Sequence, residues 1–192
     1  MSRFIQGTSS TVAARFLVGI LLLAILVSAS ANANPALQII PSIGLAKSTD
    51  SNGGDAKAFT GVALRAAILP FLSVEGGIAY RQQSYFNDDL VVRMWPVTAS
   101  LWLNPVPMLY AGGGLGWYRT TYDYRSTLSL EDVTSNKVGV HLGGGVAVPL
   151  TPALGLDLNG RYVFMQKDDN LQFPTEFNPD FWGASVGLAI KF

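Results

Sequence analysis

The chain has 192 residues, and its thirteen acidic residues balance its thirteen basic ones, so it lacks the strongly basic face that nucleic acid binding requires. It contains no cysteine, which excludes disulfides and a lipoprotein anchor. Only 14% of the residues are charged and 49% are hydrophobic, and the length after export suits one domain.

The first predicted element is a secretory signal peptide over residues 1–33. Two arginines flank the start of an uninterrupted apolar run over residues 16–27. This run is too short for a membrane-spanning helix, which needs about 20 apolar residues, and an uncleaved N-terminal anchor is the alternative. Ala31 and Ala33 each end an Ala-x-Ala cleavage site, so a single barrel domain over residues 34–192 is expected to remain.

Alternation of apolar with small or polar residues dominates the rest of the chain and predicts eight β-strands. Most of them have 11 to 15 residues. Soluble strands usually run to about 5–6 residues, whereas tilted membrane strands need about 9–11 within the apolar layer. The predicted strands are 36–47, 56–68, 72–83, 90–103, 108–122, 138–148, 154–167 and 182–192.

The connections between these strands alternate between tight turns marked by proline and longer polar loops. The turns are predicted at 69–71, 104–107 and 149–152, and the loops at about 48–55, 84–89, 123–136 and 168–180. Short turns at one end and long loops at the other are typical of outer-membrane barrels. Pro41 and Pro96 fall within predicted strands, where they indicate either bulges or misplaced boundaries.

The two faces of the strands predict an all-β, up-and-down antiparallel transmembrane barrel, with a water-soluble β-sandwich as the alternative. Closure removes the open sheet edges, whose unpaired backbone groups cost several kcal/mol in hydrocarbon. Eight strands leave an interior just wide enough for side chains, so a salt-bridged polar plug is expected. Arg65 and Arg161 are expected to pair with Glu75 or Asp157. The full lumenal network is predicted to be Arg65, Glu75, Arg81, His141, Asp157, Asn159, Arg161 and Lys191.

Aromatic and basic residues concentrate near the predicted strand ends, as expected at membrane interfaces. The aromatic residues are Trp95, Trp117, Tyr118, Tyr162, Phe164 and Trp182 near the long loops, and Trp102, Tyr110 and Phe192 near the short turns. The basic residues are expected either to contact lipopolysaccharide phosphates or to form a plain hydrophilic collar. They are Lys47, Lys57, Arg93, Arg119, Arg125, Lys137 and Lys167.

Three segments are distinctive: the C-terminal sequence GASVGLAIKF, the glycine-rich segment 110–117 and the segment 156–162. They resemble segments of the outer-membrane β-barrel superfamily that includes outer membrane proteins A, X and W and the opacity proteins. The resemblance implies a barrel that is exported through the periplasm and integrated into the outer membrane. It also implies a signal for the barrel-assembly machinery at Leu188, Ile190 and Phe192.

No catalytic, cofactor-binding or metal-binding site is predicted, and the protein is not expected to be an enzyme. The barrel-type lipid A deacylases pair a histidine with a serine two residues later. The only histidine here is His141, and Gly143 stands at the serine position. A lone histidine on a polar face is interpreted as a structural hydrogen-bonding residue.

Loops 123–136 and 168–180 mix acidic residues with aromatic and aliphatic ones, which favours a structural, surface-interaction or adhesive role. A narrow channel for small or hydrophobic molecules, similar to outer membrane protein W, is the alternative. The expected partners are outer-membrane lipid, lipopolysaccharide and, during assembly, the barrel-assembly machinery. No cofactor is expected, and the expected oligomeric state is a monomer.

Overall fold

The chain forms a closed antiparallel β-barrel in a computed structural model, with the strands in sequence order and the last strand paired with the first. The structure describes residues 37–50, 54–85, 90–124, 133–166 and 178–192. The strands are β1 (Leu37–Ser48), β2 (Lys57–Leu69), β3 (Leu72–Tyr85), β4 (Leu90–Val106), β5 (Leu109–Tyr124), β6 (Val133–Pro149), β7 (Leu154–Met165) and β8 (Phe181–Lys191). The predicted fold class is confirmed, whereas the predicted signal peptide over residues 1–33, with its cleavage sites at Ala31 and Ala33, lies outside the described residues.

The strands have 11 to 17 residues and extend beyond several of the boundaries that the alternation predicts. β5 continues to Tyr124 and β6 begins at Val133, so strand pairing takes up both ends of the predicted loop 123–136. The connection predicted at 84–89 is likewise reduced to residues 86–89. Pairing extends the strands because it satisfies backbone donors and acceptors that would otherwise need other partners. No helix in the described part of the chain is long and apolar enough to cross a membrane.

Pro41 and Pro96 lie inside strands and cause neither bulges nor strand ends, so both sequence interpretations are wrong. Pro41 pairs with Val62 and Pro96 pairs with Tyr118 in an unbroken register on one side of each strand. On the other side, the ladder is interrupted beside each proline and resumes in the same register. Proline has no N–H group, so it interrupts one ladder and leaves the other intact.

The turn predicted at 104–107 is formed instead by Pro107 and Met108. β4 runs on to Val106 through a register shift that begins at Leu103, and this irregularity accommodates the extra residues. Met108 has a positive φ of 73°, a conformation that usually favours glycine. We call this end of the barrel, with its short turns, the inner end, and we call the opposite end the outer end.

The two faces of the strands differ as the alternation predicts. The outward side chains form an exposed apolar belt suited to lipid, which includes Ile43, Val62, Leu64, Ile78, Leu101, Leu115, Val140, Leu142 and Leu158. The inward positions carry polar, aromatic and small residues, including the glycines at 112, 114, 116, 139, 143, 145, 183 and 187. Because the apolar side chains face outward, the polar side chains lie inside the lumen, where they contact one another.

Aromatic residues divide between the two faces, and three of them lie on the face opposite to their predicted position. Outward-facing aromatic residues near the outer end are Trp95, Trp117, Tyr162, Phe164 and Trp182, as predicted. The sequence pattern places Trp102, Tyr110 and Tyr118 at the membrane interface, but the structure buries all three in the lumen. They occupy inward positions where glycine leaves room, because Trp102 pairs with Gly112 and Tyr110 pairs with Gly145.

Candidate functional site: the barrel lumen

Arg65, Glu75, Asp157 and Arg161 form a buried ion-pair network across the lumen, which we call the ionic layer. Arg65 Nη2 lies 2.7 Å from Glu75 Oε2, and Arg65 Nη1 lies 2.7 Å from Asp157 Oδ2. Arg161 Nη2 lies 2.6 Å from the second oxygen of Glu75, Oε1. The two guanidinium groups balance the two carboxylates, which meets the requirement that buried charges be paired.

Tyr110 and Asn159 complete the ionic layer with hydrogen bonds. The Tyr110 hydroxyl donates to Asp157 Oδ1 at 2.8 Å and accepts from Asn159 Nδ2 at 2.9 Å. Asn159 Oδ1 in turn accepts from Arg161 Nε at 2.7 Å. The guanidinium of Arg65 also lies over the Tyr110 ring, at 4.4 Å from its centroid. Tyr110 therefore has three contacts within the layer, and its parity with the inward glycines is the sequence signal that would have placed it there.

Trp102 fills the remaining space beside the ionic layer and is 0% exposed. Its ring meets Tyr110 edge to face, with 5.2 Å between centroids, and the guanidinium of Arg161 lies 5.1 Å from its centroid. Its Nε1 has no hydrogen-bond partner within the described ranges. Together, the ion pairs and the two aromatic rings occupy the bore at this level.

Three residues that the sequence places in the same network lie apart from it. The guanidinium of Arg81 lies 3.8 Å from the centroid of the Phe181 ring, nearer to the outer end. Lys191 is half-buried at the inner end of β8, where it pairs with Gln38. His141 is 0% exposed and lies in the lumen, but its hydrogen bond goes to a serine rather than to the ionic layer.

Ser100 and His141 form a contact that sequence spacing does not reveal, because the two residues are 41 positions apart. Ser100 Oγ lies 2.9 Å from His141 Nε2. A serine nucleophile must be accessible to substrate, and its histidine is normally oriented by a further group on the other ring nitrogen. Ser100 is buried, and His141 Nδ1 has no hydrogen-bond partner among the residues that the structure describes. As it stands, the contact orients the imidazole and presents no accessible nucleophile.

A cluster of buried apolar side chains fills the lumen nearer to the outer end, and we call it the apolar layer. It consists of Ala46, Met94, Tyr118, Val163, Met165 and Phe181, with Phe59 packed against them. A cavity of about 120 Å³, which we call the chamber, is lined by members of both layers. Small residues of β1, β2, β3 and β8 leave this space open, namely Ser42, Gly61, Ala63, Gly77, Ala79, Gly183 and Ser185.

The basic residues predicted near the strand ends, which we call the basic rim, are only partly found at the outer end. Lys47, Lys57, Arg93 and Arg119 are exposed there, as the prediction requires. Lys137 is not part of such a rim, because it occupies an inward position of β6 and is buried. The remaining predicted members, Arg125 and Lys167, lie outside the described residues.

Comparison with known proteins identifies the family of the whole barrel. Residues 18–192 match the family described as "Outer membrane protein beta-barrel domain". A search of curated proteins found no match.

Three similar solved structures share the fold of this chain. Neisserial surface protein A is 18% identical, with a TM-score of 0.63 over 81% of this chain and 97% of that chain. The attachment invasion locus protein Ail of Yersinia pestis, solved with a heparin analogue, is 14% identical, with a TM-score of 0.51 over 82% and 97%. The N-terminal barrel domain of Pseudomonas aeruginosa OprF is 12% identical, with a TM-score of 0.53 over 81% and 97%. At these identities the structures show a shared fold. On the family match, the chain belongs to the outer-membrane β-barrel family and is located in the cell outer membrane.

Proposed function

We propose that this protein is a passive surface barrel, with a closed lumen and with its function carried by the outer end. The ionic layer supports this proposal most directly. The side chain of Glu75 is 1% exposed and bonds to Arg65 on the neighbouring strand β2 and to Arg161 on β7, across the lumen. Moving either arginine aside would leave a charge unpaired in a buried site, which is strongly unfavourable. The layer is therefore suited to hold the barrel closed rather than to conduct.

The absence of catalysis is part of the same proposal. It is supported by the burial of Ser100 beside His141, which keeps a substrate from the hydroxyl group. Within the described part of the chain, no group of three or more histidine, aspartate or glutamate residues is arranged to hold a metal ion. Expression of the protein is expected to leave the acylation of lipid A unchanged, which mass spectrometry of extracted lipid A would test.

Conductance across planar bilayers tests the closed lumen. The purified protein should give no stable large conductance, whereas steady channels of porin size would overturn the proposal. Trp102→Ala removes the largest fully buried side chain beside the ionic layer and should produce small conductance events. Trp95→Ala is the matched control, because Trp95 lies on the same strand but faces outward.

In a structural, surface-interaction or adhesive role, the loops that connect the strands at the outer end carry the function. Replacing residues 125–132 or 168–177, which leaves the paired residues of β5 and β6 in place, with flexible linkers should change cell aggregation or attachment while the barrel still folds. A turn at the inner end, residues 150–153, is the matched control position. Unchanged aggregation and attachment after both outer replacements would argue against this role.

The exposed cations at the outer end support lipopolysaccharide as a partner, because guanidinium groups bind phosphate oxygens in bidentate fashion. Arg93 and Arg119 lie on the neighbouring strands β4 and β5, close to one another in register. A bound lipid stabilises the folded state in proportion to its affinity. The double variant Arg93→Gln/Arg119→Gln should reduce the gain in melting temperature on adding lipopolysaccharide, whereas Lys191→Gln at the inner end should not.

A narrow channel for small molecules is the second candidate, and the chamber is the observation that favours it. The chamber already provides about 120 Å³ of free space within the lumen. Conduction requires the ionic layer to open transiently. Small flickering currents from the unmodified protein would favour this candidate over a permanently closed barrel.

A further inference from the structure

The three turns at the inner end are apolar, and we propose that they are inserted in the inner leaflet of the outer membrane, where they contact phospholipid acyl chains. We call residues 69–72, 105–109 and 149–154 the inner turns. Their exposed apolar side chains include Leu69, Phe71, Val106, Met108, Leu109 and Leu150. This surface is independent of whether the lumen conducts, since it lies on the outside of the barrel.

The inner turns carry no charge. Residues 66–74, 94–118 and 138–156 contain no aspartate, glutamate, lysine or arginine. The inner rim does include Lys191, but it occupies an inward, half-buried position of β8. Contact of these apolar side chains with water is unfavourable, and the turns hold no ionised group that would have to stay hydrated.

The strands alone are too short to fill the apolar layer of the membrane. Its outer boundary is marked on β3, β4 and β5 by outward aromatic residues, because aromatic girdles lie at the interfaces. Eight positions separate each of them from the outward leucine next to the turn; the pairs are Tyr80 and Leu72, Trp95 and Leu103, and Trp117 and Leu109. Eight residues that rise about 3.4 Å each and tilt by about 40° span about 21 Å, whereas the apolar band is about 25 Å tall. The remaining height of about 4 Å places the inner turns within the band.

The aromatic residues of the inner end also lie at the turns. Trp102 and Tyr110, which the sequence pattern places at the inner interface, are buried in the lumen. In the part of the chain that the structure describes, the exposed aromatic residues at this end are Phe71, between β2 and β3, and Phe192, after β8. Because an aromatic girdle marks the edge of the apolar band, that edge lies at the turns rather than within the strands.

Backbone groups of the inner turns are hydrogen-bonded, as a location in lipid requires. In each turn, a carbonyl oxygen accepts from an amide of the strand that follows the adjoining hairpin. The bonds run from Asn104 N to Phe71 O at 2.8 Å, from Ala147 N to Met108 O at 2.7 Å and from Lys191 N to Ala153 O at 2.8 Å. The prolines at positions 70, 105, 107, 149 and 152 carry no N–H group, so they leave fewer donors to satisfy.

Polar side chains near the turns bond within the protein. Thr151 Oγ1 accepts from Leu154 N at 3.0 Å. Asn104 Nδ2 donates to Ser73 Oγ at 3.1 Å. These bonds lower the cost of taking the two side chains out of water, so neither opposes insertion.

Continuity with the lipid-facing belt favours lipid over a protein as the partner of the inner turns. At the outer end, Gln82, Arg93 and Arg119 are exposed between the belt and the loops. At the inner end, the belt passes directly into the turns through Leu103 and Leu109, with no polar residue between them on the outward face. Protein interfaces have a polar rim, which the inner turns lack on the side of the belt. The lipid that covers the belt therefore covers the turns as well.

The absence of cysteine allows a direct test with single-cysteine variants that carry a nitroxide spin label. The full chain is folded into vesicles of phosphatidylcholine and phosphatidylglycerol, with a water-soluble nickel chelate on both sides of the membrane. Oxygen, which concentrates among acyl chains, should relax the label strongly in Met108→Cys and Leu150→Cys, and the nickel chelate should relax it weakly. Leu115→Cys, in the belt, is the lipid reference, and Asp55→Cys, exposed before β2, is the water reference.

The two relaxing reagents distinguish lipid from water and from protein. Turn labels that behave like Leu115→Cys support the proposal. Strong relaxation by the nickel chelate, as at Asp55→Cys, overturns it and leaves the turns available to a protein partner. Weak relaxation by both reagents also overturns it, because the label would then pack against protein. Altered gel mobility on heating verifies that each variant is folded, and Phe71→Cys replaces either turn variant that is not.

Discussion

Replacing Glu75 with glutamine is expected to destabilise the barrel by about 3 kcal/mol, because one carboxylate holds two arginines. Glu75 accepts from Arg65 through Oε2 and from Arg161 through Oε1. Glutamine has the same shape but only one acceptor oxygen, so its amide NH₂ group must face one of the arginine donors. The substitution therefore removes a charge and also places two donors against each other.

The magnitude follows from the surroundings of the two arginines. Breaking a buried ion pair costs about 3–5 kcal/mol. Two features favour the lower end of this range. Arg65 keeps its second partner, Asp157, at 2.7 Å. Arg161 is 24% exposed and lines the chamber, where water can solvate the released guanidinium group.

The assay is urea unfolding of the barrel in lipid vesicles, with free energies from linear extrapolation. Glu75→Gln, Arg161→Gln and the double variant form a thermodynamic cycle. The double variant leaves Arg65 and Asp157 as a balanced pair, so its cost should fall below the sum of the single costs by about 1 kcal/mol or more. A cost for Glu75→Gln below about 0.5 kcal/mol, or additive costs, would refute the view that these charges are buried and coupled.

Two further substitutions test the backbone and the packing of the lumen. A Cβ at Gly116 would lie 2.5 Å from the ring of Tyr118, so Gly116→Ala should cost about 1–3 kcal/mol in unfolding free energy. Gly160→Ala faces open space within 4 Å and should be neutral or stabilising; equal losses for both variants would contradict the packing argument. Met108→Gly should stabilise by roughly 0.5 kcal/mol, since it relieves the positive φ of Met108 but adds backbone entropy to the unfolded chain. Leu150→Gly, in the turn between β6 and β7 and without a positive φ, should destabilise the barrel. A gain there equal to that of Met108→Gly would show that backbone conformation is not the cause.

Alternation in the sequence predicts both the strands and the direction in which their charges point. Successive side chains of a strand point to opposite faces, so parity assigns Arg65, Glu75, Asp157 and Arg161 to the lumen without any knowledge of pairing. The same alternation assigns Trp102 and Tyr110 to the lumen, where the structure buries them. The prediction that they lie at the membrane interface is wrong because it relied on their nearness to strand ends. Trp102 and Tyr110 fit inside the narrow barrel because a glycine lies opposite each of them on a neighbouring strand, and only the register reveals those pairs.

The sequence by itself therefore determined the strands, their two faces, the closed barrel and the set of residues available to fill it, because these follow from local backbone geometry and from the need to pair every strand edge in lipid. Only the tertiary structure decided which of those residues meet. Arg65 and Asp157 are 92 positions apart, and Ser100 and His141 are 41 apart. Their contacts depend on the tilt and stagger with which eight strands close, and that stagger joins four charges into one layer, places Arg81 against Phe181 and leaves the chamber between them.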